Sequence, residues 1–144
     1  MLTRPAMLLA ALLLAAASHQ ALADDIPDLK GTWKGTVDSA VMVGNTPYRT
    51  AEDGKPYSFA KEAITFTFDI ADQQGARFAG RMTGKDKSET LIGHLYPDHR
   101  SGMMLDDDGQ YLFNLSAAGT MEVCYNHSKP DSKVIACWTA KKGR

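Results

Sequence analysis

Side chains able to do chemistry gather in a few short stretches of this 144-residue chain. "GHLYPDHRSG" supplies His94, Tyr96, Asp98, His99 and Arg100. Imidazoles are common metal ligands, but His94, His99 and the distant His127 share no spacing that fixes two of them on one face. No metal site is therefore expected. Tyr-Pro-Asp-His reads as turn chemistry, with Asp98 capping the turn. "LDDDGQY" lacks the spaced oxygens and closing Glu of a calcium loop, so Asp-Asp-Asp-Gly reads as a hairpin turn. There is no Gly-x-Ser-x-Gly elbow, no phosphate-cradling glycine loop and no carboxylate pair placed by spacing. Only a barrel mouth that gathered Glu62, Asp69 or His99 would give acid–base chemistry. The expectation is a protein that is not an enzyme and needs no cofactor.

Cys124 and Cys137 are the two cysteines, on either side of Pro130-Asp131. The chain opens with Arg4, an apolar run from Ala6 to Ala17, and Ala21-Leu22-Ala23, the pattern of a secretory signal peptide over residues 1–23. A run of about 12 apolar residues falls short of the roughly 20 that cross a bilayer, so no membrane span is expected. Export to a periplasmic or secreted location suits a disulfide, and a bridge between these cysteines is the leading reading. Residues 24–144 then form a single domain of 121 residues. Loss of Arg4 leaves 15 basic against 17 acidic side chains, a formal charge of −2. That balance argues against nucleic acid as a partner.

The elements that must position these residues are strands. In "AITFTFDI", Ile64, Phe66, Phe68 and Ile70 share one face, while Thr65, Thr67 and Asp69 share the other. Folding "ADQQGARFAGRMTG" back around Ala71 to Gly75 pairs Phe68 with Phe78 and Ile64 with Met82, inward with inward. Similar alternation, broken by Gly, Asp, Pro and Ser, gives about eight antiparallel strands, beginning with "GTWKGTVDSAVMV". In "ETLIGHL", turning Leu91, Gly93 and Leu95 inward buries the most apolar surface and leaves His94 outside. Eight strands closing into an up-and-down barrel remove exposed edges; a sandwich is the rival. With Lys129–Ser132 as the last turn, His127 faces Val134 and Cys124 faces Cys137. The bridge then staples the outer wall, with Val123, Tyr125 and Trp138 on the core face.

"LKGTWKGTV" resembles the Gly-x-Trp signature of calycins, the superfamily of lipocalins, fatty-acid-binding proteins and avidins. The resemblance implies that Trp33, after Gly31, closes one barrel end beside Lys141 or Lys142 of the last strand. It also implies that residues 44–58, "GNTPYRTAEDGKPYS", form a lid over the cavity mouth. That loop carries Tyr48, Arg49 and Tyr57, types enriched in recognition surfaces, although a solvated mobile loop is equally compatible with its length.

Two functional readings follow. The first is an exported barrel binding a small apolar ligand, its interior lined by Trp33, Phe66, Phe68, Phe78, Met82, Tyr125 and Trp138. The alternative is a filled barrel that meets an envelope or extracellular protein, as an interaction or inhibitor module, through loop 44–58 and the 96–100 turn.

Overall fold

In the computed structural model of the chain, residues 25–117 and 119–144 are described, and all their regular structure is β. The expected signal peptide, residues 1–23, lies outside the described residues. The strands are β1 (Gly31–Val37), β2 (Ala40–Val43), β3 (Ser58–Ala60), β4 (Ile64–Gln74), β5 (Arg77–Gly84), β6 (Lys87–Leu95), β7 (Ser101–Leu105), β8 (Gln110–Ala117), β9 (Thr120–Ser128) and β10 (Lys133–Lys142). Neighbours from β4 to β10 pair antiparallel in chain order, β1 pairs with β4, and β1 with β10 closes the cylinder. The result is the eight-stranded antiparallel barrel that the alternation predicts, with two extra strands that it does not. No helix among the described residues is long and apolar enough to cross a membrane.

The extra strands come from a break in the expected first strand. At Asp38-Ser39 the chain leaves β4 but stays beside β10, so that β2 pairs with Lys133–Ile135. Across the break, β3 pairs with β2 (Val41↔Phe59), and Lys61 to Ala63 lead into β4. β1–β2 and β3–β4 therefore form one long hairpin with an irregular waist, and residues 44–57 make its tip. Because β3 takes Ser58 to Ala60, the connecting loop ends one residue earlier than expected.

Alternation places Ile64, Phe68 and Ile70 inward and buried, with Phe66 partly buried beside them. The β4–β5 register differs from the expected one. Phe68 faces Met82 and Phe66 faces Gly84, whereas Phe78 faces Gln73. β4 runs four residues further than expected, and its turn tightens to Gly75-Ala76, where Gly75 adopts φ 60°. An irregularity between Ile70 and Asp72 absorbs the extra residue. The shift is even along most of the pairing, so every inward residue keeps its face.

The last hairpin matches its expected register. His127 faces Val134 and Cys124 faces Cys137, with a Cα–Cα distance of 4.1 Å and a disulfide between them. Leu91 and Leu95 are buried and His94 is exposed, as apolar burial demands.

Trp33 is 2% exposed and plugs one end of the barrel. Its Nε1 donates to Leu29 O (2.8 Å), and Lys142 Nζ sits 5.6 Å from the ring centroid while donating to Asp28 O. Phe68, Phe78, Met82, Leu91, Met104, Tyr111 and Phe113 fill the middle. At the other end Val37, Ala40, Met42, Val134 and Ala136 form a smaller cluster, joined to the main core through Phe66, Tyr125 and Trp138. Phe66 and Trp138 lie 5.7 Å apart between ring centroids, so one core runs the length of the cylinder.

Candidate functional site

Strand order sorts the loops between the two barrel ends. The 44–57 tip, the β5–β6 turn, Asp106–Gly109 and Lys129–Ser132 share one end, here called the lid end. The N-terminal segment, the β4–β5 turn, residues 96–100 and the β8–β9 turn share the other. Loop 44–58 and the 96–100 turn, paired in the surface reading, therefore lie at opposite ends.

The 44–57 loop is tied down by its own polar residues. Thr46 N–H donates to Arg49 O (2.9 Å), and Thr46 Oγ1 accepts from the amides of Tyr48 (3.3 Å) and Arg49 (2.9 Å). This hydroxyl-centred turn reverses the chain. Asn45 Oδ1 accepts from Ala51 N–H, Ser58 Oγ from Glu52 N–H, and Lys85 Nζ donates to Tyr48 O (2.8 Å). The turn sends Tyr48 and Arg49 down into the barrel. Tyr57 stays outside, 55% exposed, edge-on to Phe59.

Beneath them lies a cavity of about 40 Å³. Its floor and walls are Phe66, Tyr111, Tyr125, His127 and Trp138, with Tyr48, Arg49 and Asp108 at the rim. Tyr48 packs edge-on against Phe66, with centroids 5.2 Å apart. Trp138 can lie across the wall because Gly35 opposite it has no side chain; a Cβ there would meet Trp138 Cδ1 at 2.6 Å. The volume holds a few waters or a group of a few heavy atoms, far below the roughly 300–1,000 Å³ of drug-sized ligand pockets. The barrel is thus mostly filled by its own side chains.

Three carboxylates converge beside the chamber. Oxygens of Glu89, Asp106 and Asp108 lie within 4.8 Å of one another. Each accepts a tyrosine proton: Glu89 from Tyr48 (3.0 Å), Asp106 from Tyr111 (2.5 Å) and Asp108 from Tyr125 (2.6 Å). Lys129 Nζ also reaches Asp108 (3.2 Å). Burial pushes the Glu89 carboxyl above its usual range, partly opposed by the Tyr48 hydroxyl. Burial also acts upward on Asp108, but its bonds to Tyr125 and Lys129 outweigh it and hold that carboxyl low. Burial, reinforced by the carboxylates, drives all three phenols upward, so they remain neutral donors. These three carboxylates are the set that could face a cation.

Tyr125 gives its proton to Asp108, so the 3.0 Å contact between Tyr125 Oη and His127 Nδ1 needs Nδ1–H as donor. In the neutral ring, His127 Nε2 then accepts from Ser132 Oγ at 3.2 Å.

Arg49 is the unusual member. It is 7% exposed, and its Nη2 donates to Val37 O (3.3 Å) at the waist, where the β1–β4 ladder ends. Its Nη1 is shut from solvent without a partner among the described residues. Asp38 and Glu62 are near enough to favour its charge, but burial outweighs them and lowers its pKa. Glu62 is itself paired with Lys85 at 3.0 Å.

Of the residues expected to line a ligand site, Phe66, Tyr125 and Trp138 border this cavity, roofed by Tyr48 and Arg49. Trp33, Phe68, Phe78 and Met82 are packed core outside the chamber lining. His94 lies on the outer wall, and Asp69 is exposed and accepts from Thr32 Oγ1 (3.3 Å). Asp98 makes the expected turn, accepting from Arg100 N–H, Ser101 N–H and Ser101 Oγ. Tyr111 and the carboxylate cluster escape sequence reasoning. The inward alternation of Tyr111 and Phe113 was a usable signal for the first; nothing local marks the second. No family model, curated protein or solved structure matches the chain.

Proposed function

We propose that this chain is an exported binding protein whose ligand site is the chamber beneath the 44–57 loop. One observation carries the reading: a self-braced loop inserts Tyr48 and Arg49 into an open-ended barrel, above an aromatic cavity that they roof. A loop that only joined two strands would have no need to bury an arginine. The closed chamber admits a small molecule or one end of a larger one, so a lipid-sized apolar ligand would require the loop to lift. Trp33 under Lys142 at the far end supports kinship with calycins, and the Cys124–Cys137 bridge supports an oxidising compartment.

Native mass spectrometry of protein purified from its own envelope tests this reading. A retained small molecule, lost when Tyr48 and Phe66 are both changed to Ala, is the expected result. Consistent absence, with no thermal shift from any member of a small-molecule panel, overturns it.

A second reading draws on the outer wall. Ile135, Val41 and Phe59 face one another across β10, β2 and β3 and are 57%, 38% and 65% exposed. With Tyr57 against Phe59, they make an apolar stripe beside the outer edge of β3, which pairs with no further strand among the described residues, and this suits a protein partner. Changing Tyr57 and Phe59 to Ser should abolish capture of such a partner; unchanged capture removes the stripe from consideration.

A further inference from the structure

The polar atoms around the chamber can be matched against their partners. Asp108 accepts from Tyr125 and Lys129; Tyr111 gives its proton to Asp106 and Tyr48 gives its own to Glu89. Both nitrogens of His127 are occupied, and Thr46 Oγ1 is taken by two backbone amides. Two residues of the lining each carry an atom shut from solvent without a partner among the described residues: Arg49 Nη1, and Trp138 Nε1 on the ring edge that lies against Gly35. Both are donors. A third such atom, Glu89 Oε2, belongs to the neighbouring carboxylate cluster and not to the lining.

The chamber is therefore short of an acceptor, and one of its unmatched donors carries a full charge. Asp38 and Glu62 favour the charge of this guanidinium but neither is bonded to Nη1 and burial outweighs them, and water in the cavity would satisfy its hydrogen but not its charge. An anion meets both needs. Its type is narrowed by the surroundings. Three carboxylates beside the chamber repel a dianion such as phosphate, and a cavity of about 40 Å³ limits the head to a few atoms. The walls are rings, which favour a short apolar tail.

We infer that the chamber binds the carboxylate of a small organic acid, with Arg49 Nη1 as its charged donor, Trp138 Nε1 as a second, and the tail against Phe66 and Tyr111. The inference rests on the binding-protein reading above and names the ligand class for that site.

The test titrates the disulfide-bonded chain with formate, acetate and propionate, and with their neutral amides, at constant ionic strength. A Trp33→Phe background leaves Trp138 as the sole tryptophan reporter, and thermal shift gives a second readout. The acids should bind at least tenfold more tightly than the amides, since a charge-assisted bond to a buried donor is lost in the amide. Arg49→Met should erase that preference. Trp138→Phe, which keeps a ring but removes the donor, should narrow it severalfold by thermal shift even if the arginine variant does not fold. Acids and amides binding alike would overturn the carboxylate inference and leave the binding reading standing. Binding of neither overturns the carboxylate inference and leaves the binding reading to the native mass spectrometry above. Chloride or inorganic phosphate competing as well as propionate also overturns it, because the chamber would then be a general anion hole.

Discussion

Replacing Glu89 with Gln should stabilise the protein at neutral pH and lose that effect in acid. Glu89, Asp106 and Asp108 place carboxylate oxygens within 4.8 Å of one another. Two unit charges at that distance repel by about 3.5 kcal/mol at an effective dielectric of about 20. Solvent contact at the barrel mouth, salt and the three tyrosine hydroxyls reduce the net effect to about 1–2 kcal/mol. Gln keeps an oxygen for the Tyr48 hydroxyl, and its amide replaces the unpartnered Oε2 with a donor that Asp106 or Asp108 can accept. With about 2.1 cal/mol/K of unfolding entropy per residue, the gain corresponds to roughly 4–8 °C in Tm. Glu89 titrates above its ordinary 4.5 when folded, so its charge opposes folding. That cost is complete above the raised folded pKa and shrinks as pH falls. Below 4.5, where the group is protonated in both states, it is gone. Thermal melts of parent and E89Q across the acid range read this directly. The reasoning is refuted if E89Q melts no higher than the parent at about pH 7, or keeps its advantage well below pH 4.5.

Three further outcomes follow from the fold. Cys124→Ser with Cys137→Ser opens a cross-link of sequence separation 13 and should cost about 3 kcal/mol in denaturant unfolding, yet leave the proposed chamber binding intact because the bridge lies on the outer wall. Phe68→Ala removes a fully buried ring that meets Tyr111 edge-on and Trp138 face-on, and should cost about 3–5 kcal/mol with coincident loss of near-UV signal. Asp98 is held at about 2 by Ser101 and the backbone amides, against an ordinary 3.8, so its contribution is present above 3.8 and lost as pH falls through about 2. Asp98→Asn should lower stability at neutral pH, where the carboxylate's contribution is present in full, and flatten the acid limb of the stability curve over that interval.

The cylinder was legible because its determinants are local. Period-two alternation fixes which residues of β4, β5, β9 and β10 face inward, and a partner strand can slide by an even number of residues without disturbing that. The slide is why β4–β5 pairing was expected four residues off: burial is indifferent between registers that keep the faces. The discriminating information lay in Gly75-Ala76, a turn tight enough to let Asp72 to Gln74 continue the strand. The last hairpin escaped this ambiguity because a disulfide tolerates only one register. The break at Asp38-Ser39 was invisible for a different reason. Val37 and Met42 both point inward although they stand an odd number of positions apart, so the alternation slips at the waist; because Val41, Met42 and Val43 are all apolar, the sequence does not show which of them faces in.

The chamber was hidden because its three ingredients come from segments with no periodicity between them. The strands supply rings, which alternation reveals. The Asp106–Gly109 turn supplies carboxylates, and a turn-forming Asp looks the same whether or not its oxygens also reach inward. Asp106 does both: one oxygen accepts the amides of Asp108 and Gly109, and the other accepts Tyr111. The loop supplies the cation, and Arg49 reaches the interior only because Thr46 curls the chain beneath itself. A charged side chain in a polar 14-residue loop would ordinarily be solvated, and composition cannot say otherwise. Burial of that guanidinium is thus the feature least explained by folding alone. Its Nη2 caps the broken ladder at Val37, which accounts for one end of the fork. The other end has no structural task in the closed barrel, and that asymmetry points to a ligand as the reason for an arginine here, since a lysine or a neutral donor could cap Val37 O equally well.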